Sequence, residues 1–406
     1  MMLNLKLATR NLVRNTRRTL LTVSLIAFSL SALILTDAMT LGMMRIMVDS
    51  LTHSLAGEAQ IHRRGFRDNL SVDLYMPEVE TIESRLSQDP NVAAYASRVI
   101  SGGMISSTYN ISAGLVYGVE AKAERQLSQL AEAVVAGEYL SGGVTQILIG
   151  QPLAELLEVG LGDRIVITLA AADSGELTQA LFRVSGIFLF GTREIDENLI
   201  FINRAQARQL LGITGSHEIA VIFNYTNVSD QSTTPSLAYL NSPLIEALGW
   251  RELNPEIDAM LDMTNYSTLI VGAILFLLAS LGVINSMFMS IYERIYEFGV
   301  AKAIGTRPSE LFVLVLTEAM LLALISCILG VVIAAIIGTF FAETGIPLGE
   351  MEISGIAMND RIPTILTWSQ FTRLPAYFLG LIMLTAIYPA RYAARITPSA
   401  ALHRSL

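Results

Sequence analysis

Four long stretches of the chain are almost free of charge, and they limit the possible folds more than any other feature. Residues 266–292 and 374–390 contain no charged side chain, residues 20–44 contain only Asp37, and residues 311–342 contain only Glu318. A helix needs about 20 apolar residues, at 1.5 Å per residue, to cross the hydrocarbon core of a bilayer. The sequence therefore predicts four transmembrane helices, of which the fourth is the shortest.

The composition excludes a soluble enzyme. Hydrophobic residues make up 52% of the 406 residues, charged residues only 16%, and the mean hydropathy is +0.52. Soluble domains carry roughly 25% charged residues. The single cysteine, Cys327, lies in the third apolar stretch, so no intrachain disulfide can form.

The N-terminal segment, residues 1–19, is basic and amphipathic. It carries five Lys or Arg and no acidic residue, and leucines alternate with the bases. Such a segment is typical of a short helix on an anionic membrane surface. The uncharged run that follows is longer than the apolar core of a usual signal peptide and lacks a clean cleavage site, so we expect a retained helix.

Charge asymmetry predicts the orientation. The N-terminal arm, residues 293–310 and residues 391–406 together carry eleven Lys and Arg against three Glu, a net charge of +8. The rest of the chain must then carry −17, because the formal net charge is −9. The positive-inside rule places both termini in the cytoplasm and residues 45–265 outside, with a second outer loop at residues 343–373.

The outer segment, residues 45–265, is long enough to form its own core and has a mixed pattern. Short β-rich runs predict strands at 59–66, 92–100, 115–119, 147–149, 164–169, 182–188 and 219–223. Other runs predict helices at 77–88, 122–136, 152–157 and 204–211. We expect an α+β domain with two lobes, and a loop-like stretch at 226–243.

Several kinds of chemistry have no motif in the sequence. There is no G-x-x-x-x-G-K-[ST] phosphate-binding loop and no G-x-S-x-G. The four histidines have no cysteine or carboxylate at metal-ligand spacing. Basic residues are diffuse in the outer segment, so nothing indicates nucleic-acid binding.

Residues 293–310, ERIYEFGVAKAIGTRPSE, predict a short amphipathic helix between the second and third spans. Glu293 and Glu297 are four residues apart and would share one face, opposite an apolar face of Phe298, Ala301 and Ile304. Gly305 would end this helix and Pro308 would start the next. The residues alone fit an interfacial anchor and a docking helix for a cytoplasmic motor equally well.

The run 285–305, NSMFMSIYERIYEFGVAKAIG, resembles the FtsX-like permease domain, as do Glu318-Ala319 and residues 388–398. Its pattern ER-x-x-E-x-G-x-x-[KR]-A-[IL]-G is quite specific for that superfamily. Residues 149–154, 160–164 and 182–191 resemble the periplasmic core domain of MacB-type and LolC/LolE-type permeases. The resemblance covers essentially the whole chain.

This resemblance implies a permease of a type VII, mechanotransmission ABC transporter in a bacterial inner membrane. The expected fold is a polytopic α-helical membrane protein, with four transmembrane helices and a large α+β extracytoplasmic domain between helices 1 and 2. It implies a non-catalytic subunit that pairs with a second permease, as a homodimer or a heterodimer, and with a cytoplasmic ATPase dimer. ATP and Mg²⁺ would be held by the ATPase, and this chain would bind no cofactor.

Within the superfamily, the run AQIHR at residues 59–63 and the absence of a fused ATPase favour the LolC/LolE branch, which extracts lipoproteins. The loop 170–177, AAADSGEL, is short where LolC has an extended hairpin that captures its chaperone. An LolE-like, homodimeric or non-lipoprotein role therefore stays open. Alternatives are a MacB-like exporter with a periplasmic adaptor and an FtsX-like activator of a cell-wall hydrolase.

Two sets of candidate site residues follow. The motif assigns coupling to the ATPase to nine residues: Glu293, Arg294, Glu297, Phe298, Gly299, Lys302, Ala303, Gly305 and Arg307. A substrate that enters sideways from the outer leaflet would meet the outer ends of spans one and two, where thioethers could adapt to acyl chains. The predicted lining residues are Asp37, Thr40, Met43, Met44, Met47, Met263, Tyr266 and Ile270.

Two acidic residues inside the spans, and two arginines in the C-terminal tail, can each be interpreted in more than one way. Asp37 could contact a substrate head group or be an ordinary helix-end charge. We expect Glu318 to bond a neighbouring helix or the coupling helix. Arg391 and Arg395 are better explained by the positive-inside rule than by an ATPase contact.

Overall fold

A computed structural model describes residues 2–224, 237–347, 352–353, 356–357 and 361–398 of the chain. Most of the predicted loop-like stretch 226–243 and part of the outer loop 343–373 lie outside the described residues. The chain forms two compact units. The helical unit comprises residues 1–43, 261–348 and 361–406, and the α+β unit comprises residues 44–260 and 349–360.

The helices are numbered along the chain, and a π-helical turn, Thr52–Ala56, extends the second. They are α1 (Met2–Arg14), α2 (Thr16–Leu51), α3 (Phe66–Asn69), α4 (Val79–Gln88), α5 (Ala121–Leu127), α6 (Gln151–Leu156), α7 (Arg193–Asn198), α8 (Arg204–Leu211), α9 (Trp250–Leu253), α10 (Pro255–Glu293), α11 (Ile295–Ala303), α12 (Pro308–Thr344) and α13 (Trp368–Arg395).

Four of the described helices are long and apolar enough to cross a membrane: α2, α10, α12 and α13. Each contains one of the predicted apolar stretches. In the helical unit they share a core with the side chains of Ile26, Leu30, Ile34, Ala279, Ala323, Phe378 and Ile382. Small residues allow close packing, because a Cβ on Gly330 of α12 would lie 2.8 Å from the carbonyl oxygen of Ala27 in α2.

The strands, also numbered along the chain, include four two-residue strands between α12 and α13. They are β1 (Ala59–Arg63), β2 (Val92–Ser106), β3 (Ile111–Val119), β4 (Val134–Gly137), β5 (Gln146–Gly150), β6 (Arg164–Ala170), β7 (Leu177–Phe188), β8 (Leu199–Asn203), β9 (Glu218–Phe223), β10 (Ile245–Gly249), β11 (Ile346–Pro347), β12 (Glu352–Ile353), β13 (Ile356–Ala357) and β14 (Arg361–Ile362).

The α+β unit has two lobes that share the long strand β2. The first half of β2 pairs with β9, which continues through β1 to β10. The second half pairs with both β3 and β6, so that β2-β3-β8-β5-β7-β6 form a closed ring of pairings. The core of this ring consists of side chains such as Ile105, Val116, Ile147, Ile165, Ile167 and Ile202.

The predicted strands and three of the four predicted helices are confirmed in existence, with shifted ends. The predicted helix at 122–136 is wrong in its second half. It ends at Leu127, and Val134–Gly137 is instead a strand that pairs with β7. The predicted strand at 59–66 ends at Arg63, and Phe66 begins α3. The strands β4, β8 and β10 are short and were not predicted.

Candidate functional site

The helical path is broken at Arg294, the second residue of the coupling motif. Helix α10 ends at Glu293, Arg294 has φ −112° and ψ 15°, and α11 begins at Ile295. Glu293 and Glu297 therefore lie on different helices, and the prediction that they share one helix face is wrong. The coupling helix is also shorter than predicted, at Ile295–Ala303.

At the break, the guanidinium of Arg294 is buried. Arg294 is only 7% exposed, and its Nη1 donates to Glu318 Oε1 of α12 at 2.7 Å. Its Nε donates to Glu297 Oε2 at 3.2 Å. The guanidinium carbon lies 4.9 Å from the ring centroid of Phe298, within the range of a cation–π contact. Arg294 thus ties α11 to the third span.

A polar stripe from α1 and the start of α2 contacts the same acidic groups. Asn11 donates to Glu318, and Arg14 Nη1 donates to Glu297 Oε1 at 2.9 Å. Asn15 Nδ2 and Arg18 Nη1 both donate to Glu293 Oε2, at 2.6 and 2.8 Å. We call these four residues, together with Glu293, Arg294, Glu297, Glu318 and Lys302, whose bonds to the end of α13 are described below, the coupling network.

The electrostatics of Glu297 reflect its position in the network. Partial burial raises the pKa of this carboxyl, but hydrogen bonds from Arg14 and Arg294 outweigh that effect, so its pKa lies below the usual range. The two hydrogen bonds therefore favour the ionised form of Glu297. The pair with Arg14 is about half exposed on both sides, which screens it and makes it weak by itself.

The C-terminal end of α11 is attached to the fourth span. Lys302 Nζ donates to the carbonyl oxygens of Ala394 and Ile396, each at 2.7 Å, at the end of α13. A cation at a helix C-terminus also favours the helix dipole. Gly305 has φ +109°, a conformation that side chains rarely adopt, and the chain then turns into α12 at Pro308.

Six of the nine predicted coupling residues are bonded to other helices or buried, and three are exposed. Glu293, Arg294, Glu297 and Lys302 bond to other helices, and Phe298 and Gly299 are buried. Ala303, Gly305 and Arg307 are exposed. The predicted apolar face of Phe298, Ala301 and Ile304 is wrong at its last member, because Ile304 is 82% exposed.

The predicted coupling residues did not include Asn11, Arg14, Asn15 and Arg18, nor the exposed Tyr296 and Ile304. A signal for the first four was present, because residues 11, 14, 15 and 18 have i, i+3, i+4, i+7 spacing and fall on one helical face. Glu318 was expected to bond a neighbouring or coupling helix, and its partners are Arg294 and Asn11.

The predicted substrate-lining residues differ in accessibility. Tyr266 is 69% exposed, and Met263 and Ile270 are also exposed. Met47 is only 2% exposed, so its thioether is not available at a surface. Thr40, Met43 and Met44 are half-buried. Asp37 accepts a hydrogen bond from Gln370 Nε2 at 2.8 Å, which gives its carboxylate a partner at the start of α13.

Within the described ranges, no group of three or more His, Cys, Asp or Glu side chains could hold a metal ion. What the coupling network offers is mechanical, since it bonds α11 to α1, α12 and α13.

Two family models match the chain. A MacB-like periplasmic core domain matches residues 19–237, and an FtsX-like permease C-terminal domain matches residues 269–398. The first match covers more than half of the 406 residues.

Curated relatives agree with these domains. The lipoprotein-releasing system transmembrane protein LolC of Neisseria meningitidis serogroup B is 21% identical over 95% of this chain and 93% of its own length. LolC of Xylella fastidiosa strain Temecula1 is 23% identical over 77% of this chain and 78% of its own. The macrolide export ATP-binding/permease protein MacB of Sodalis glossinidius is 33% identical, but over only 32% of this chain and 18% of its own. The chain therefore belongs to the family of ABC transporter permeases with a MacB-like periplasmic core domain and an FtsX-like permease domain.

Proposed function

We propose that this permease couples ATP hydrolysis by a separate cytoplasmic ATPase to the release of lipoproteins from the outer leaflet of the inner membrane. The observation that carries the proposal is the similarity to LolC over 95% of the chain, at 21% identity. A second permease copy or a related permease would complete the assembly, with both termini in the cytoplasm.

The coupling network supports the proposed transmission step. A force applied to α11 would reach span three through Arg294 and Glu318, and span four through Lys302. It would reach α1 through Arg14, while Arg18 bonds the start of span one to Glu293 at the end of α10. Charge-assisted hydrogen bonds are the stronger kind, so α11 should move together with these helices.

The exposed tip of α11 is the proposed ATPase contact. Tyr296, Ile304 and Arg307 are exposed and make no contribution to the network. An exposed isoleucine that is followed by a glycine turn and then a basic residue suits a hot spot in an apolar groove with a polar rim. The network would then transmit motion, and the tip would bind the motor.

Lipid-anchored substrate would be accepted at the outer ends of spans one and two. Exposed Met263, Tyr266 and Ile270 support this part of the proposal on α10, and half-buried Met43 supports it on α2. Thioethers and a tyrosine suit acyl chains of varied shape near a polar head group. A periplasmic chaperone would then take the released lipoprotein.

The second candidate function is MacB-like export with a periplasmic adaptor. It is favoured by the higher identity, 33%, to MacB over 132 residues, and by the short β6–β7 connection. In that case the lipid anchor of a substrate would be irrelevant to its movement.

Reconstitution tests the two functions against each other. The permease is reconstituted in proteoliposomes with its cognate ATPase and loaded with a triacylated lipoprotein. We expect ATP-dependent release of the lipoprotein to an external acceptor, and no release with a non-hydrolysable ATP analogue. A matched protein that has a transmembrane helix in place of its acyl chains is the control. Equal movement of both proteins, or release without the ATPase, would contradict lipoprotein release.

A further inference from the structure

The α+β unit contains a cavity that no part of the proposed coupling or lateral-entry site uses. Its volume is about 1040 Å³, and its lining belongs entirely to residues 51–260. The walls come from the end of α2, the strands β1, β2 and β3, helix α7 and the chain from α9 into α10. Ligand sites in proteins span about 300–1,000 Å³, so the cavity can hold a molecule of lipid size.

The least exposed residues of the cavity lining are polar, and their charges are balanced. Arg98 and Glu218 line it, and Arg98 is 1% exposed. All three guanidinium nitrogens of Arg98 are used, two by Glu124 at 3.0 and 2.6 Å and one by Glu218 at 2.9 Å. The three residues carry a net charge of −1, and Arg67, which also lines the cavity, offsets it.

The same lining carries uncharged hydrogen-bonding groups beside Arg67. Gln60 accepts from Arg67 Nη1 at 2.7 Å, which leaves the other nitrogens of this exposed guanidinium facing solvent or a ligand. Tyr117 is a hydroxyl donor on the same lining, and Asn198 and Asn254 supply amides. An anionic head group would find no unpaired cation among the buried lining groups, because Arg98 is fully used by its two carboxylates.

The remaining wall is apolar and continues from membrane-spanning sequence. Leu51 and Leu55 follow the first apolar stretch, and Ile257 and Met260 precede the second. Leu115 and Ile195 add aliphatic surface from the β3 and α7 side. Burying such surface contributes about 25 cal/mol per Å², which is enough to retain one acyl chain.

We propose that this cavity binds an uncharged amphiphile, a molecule with an apolar chain and a head group that hydrogen-bonds through hydroxyl, ester or amide groups. The apolar wall takes the chain. The amides, the Tyr117 hydroxyl and Arg67 take the head group. Exposed Glu194 and Glu256 at the rim repel anionic amphiphiles.

Photolabelling of the full-length permease in nanodiscs tests this site. The probe is a monoacylglycerol with a diazirine on its acyl chain, and labelled peptides are mapped by mass spectrometry. We expect saturable labelling of peptides that contain Leu115 or Ile195, and competition by unlabelled monoacylglycerol. A lysophosphatidylglycerol of the same chain length should compete at least tenfold more weakly, and so should a simple alkylamine.

Two blocking variants and a matched control complete the test. Ala113→Trp and Asn198→Trp place a large ring on exposed lining positions and should each reduce labelling at least tenfold. Leu177→Trp, at a 74% exposed position outside the lining, should leave labelling unchanged. Tyr117→Phe should weaken competition by unlabelled monoacylglycerol about threefold to tenfold, which is the contribution of one hydrogen bond. Unsaturable labelling, stronger competition by the amine, or unchanged labelling in both blocking variants with cooperative melting would overturn the proposal.

Discussion

Arg98 shows how a single buried charge organises the α+β unit. Its guanidinium is bound by Glu124 and Glu218, and all three side chains are almost completely buried. The two carboxylates raise the pKa of Arg98, although desolvation acts in the opposite direction. Removal of one member of such a set leaves an uncompensated charge in a low-dielectric interior, which costs more than the intact set contributes.

We therefore predict that Arg98→Leu destabilises the α+β unit by about 3–5 kcal/mol. Urea unfolding followed by the fluorescence of buried Trp250, in a Trp368→Phe background, measures this change. The matched control is Arg193→Leu, because the pair of Arg193 with Glu197 is exposed. The control should change stability by no more than about 0.5 kcal/mol. A similar small loss in Arg98→Leu would contradict the assigned role.

Two buried histidines predict the pH dependence of the same unit. His217 Nδ1 accepts the backbone N–H of Ile100 at 3.0 Å, and its Nε2 lies 2.9 Å from the carbonyl oxygen of Val72, so the ring is neutral in the fold. Burial lowers the pKa of both His217 and His62 from 6.5. The unfolded chain then binds protons at higher pH than the folded chain does.

Stability should consequently fall as the pH falls below about 6.5, by at most about 1.4 kcal/mol per pH unit for each histidine. Unfolding of the same Trp250 reporter at pH 7.5, 6.5 and 5.5 measures the slope. His217→Gln should make the slope shallower, because one proton-linked group is lost. A stability that rises toward pH 5.5 would show that these rings are not held neutral.

At the scale of elements, α11 is a short helix whose inner side is bonded and whose tip is free. Ile304 is 82% exposed, beyond the last helical residue, while Arg294 and Lys302 bond to neighbouring helices. Binding to the ATPase and transmission of its motion should therefore be separable by mutation.

We predict that Ile304→Asp abolishes co-purification of the ATPase without changing the melting temperature of the permease. A charge at an exposed hot spot should cost at least about 2 kcal/mol of binding, roughly 30-fold in Kd. Val313→Asp would not be a fair control, because that residue lies in a span. Ser309→Asp is exposed in the same region and should retain binding. Normal ATPase binding by Ile304→Asp would exclude the tip as the contact.

The sequence predicted elements with a strong local pattern and missed those set by distant partners. The four spans and seven strands follow from apolar runs and alternation, which are local. The end of α10 at Glu293 does not, because it accompanies a bond from Arg294 to Glu318, 24 residues later. Val134–Gly137, where a helix was predicted, is likewise a strand because it pairs with β7. The contacts of Asn15 and Arg18 with Glu293 join residues more than 270 positions apart.

For the whole molecule, the division into two units predicts independent folding of the α+β unit. It has its own closed ring of strands and its own core, and residues 45–265 contain no cysteine. The fragment 45–265 should be soluble and melt cooperatively, without a response to reductant. Aggregation under all conditions would contradict this, and so would cysteine labelling that places the segment in the cytoplasm of intact cells.

Substrate entry between the outer ends of spans one and two gives a further whole-molecule prediction. Photocrosslinkers at Met43 and Tyr266 should capture the acylated lipoprotein. The control is Ile336 on span three, which is 65% exposed and so matches Tyr266 at 69%. A photocrosslinker at Ile336 should not capture the lipoprotein. Met43→Trp should block capture at Tyr266. Equal capture at all three positions would reject lateral entry at this place.

The central claim is that the coupling network converts ATPase turnover into substrate release, and the ratio of lipoprotein released to ATP hydrolysed tests it most directly. The variant Glu297→Gln with Lys302→Met removes the charge that Arg14 and Arg294 contact and the two bonds to the end of α13. In proteoliposomes with the ATPase, the account predicts that this variant binds the ATPase and hydrolyses ATP, while the release ratio falls at least tenfold. An unchanged release ratio would show that the network is only a membrane-surface anchor and would contradict the account.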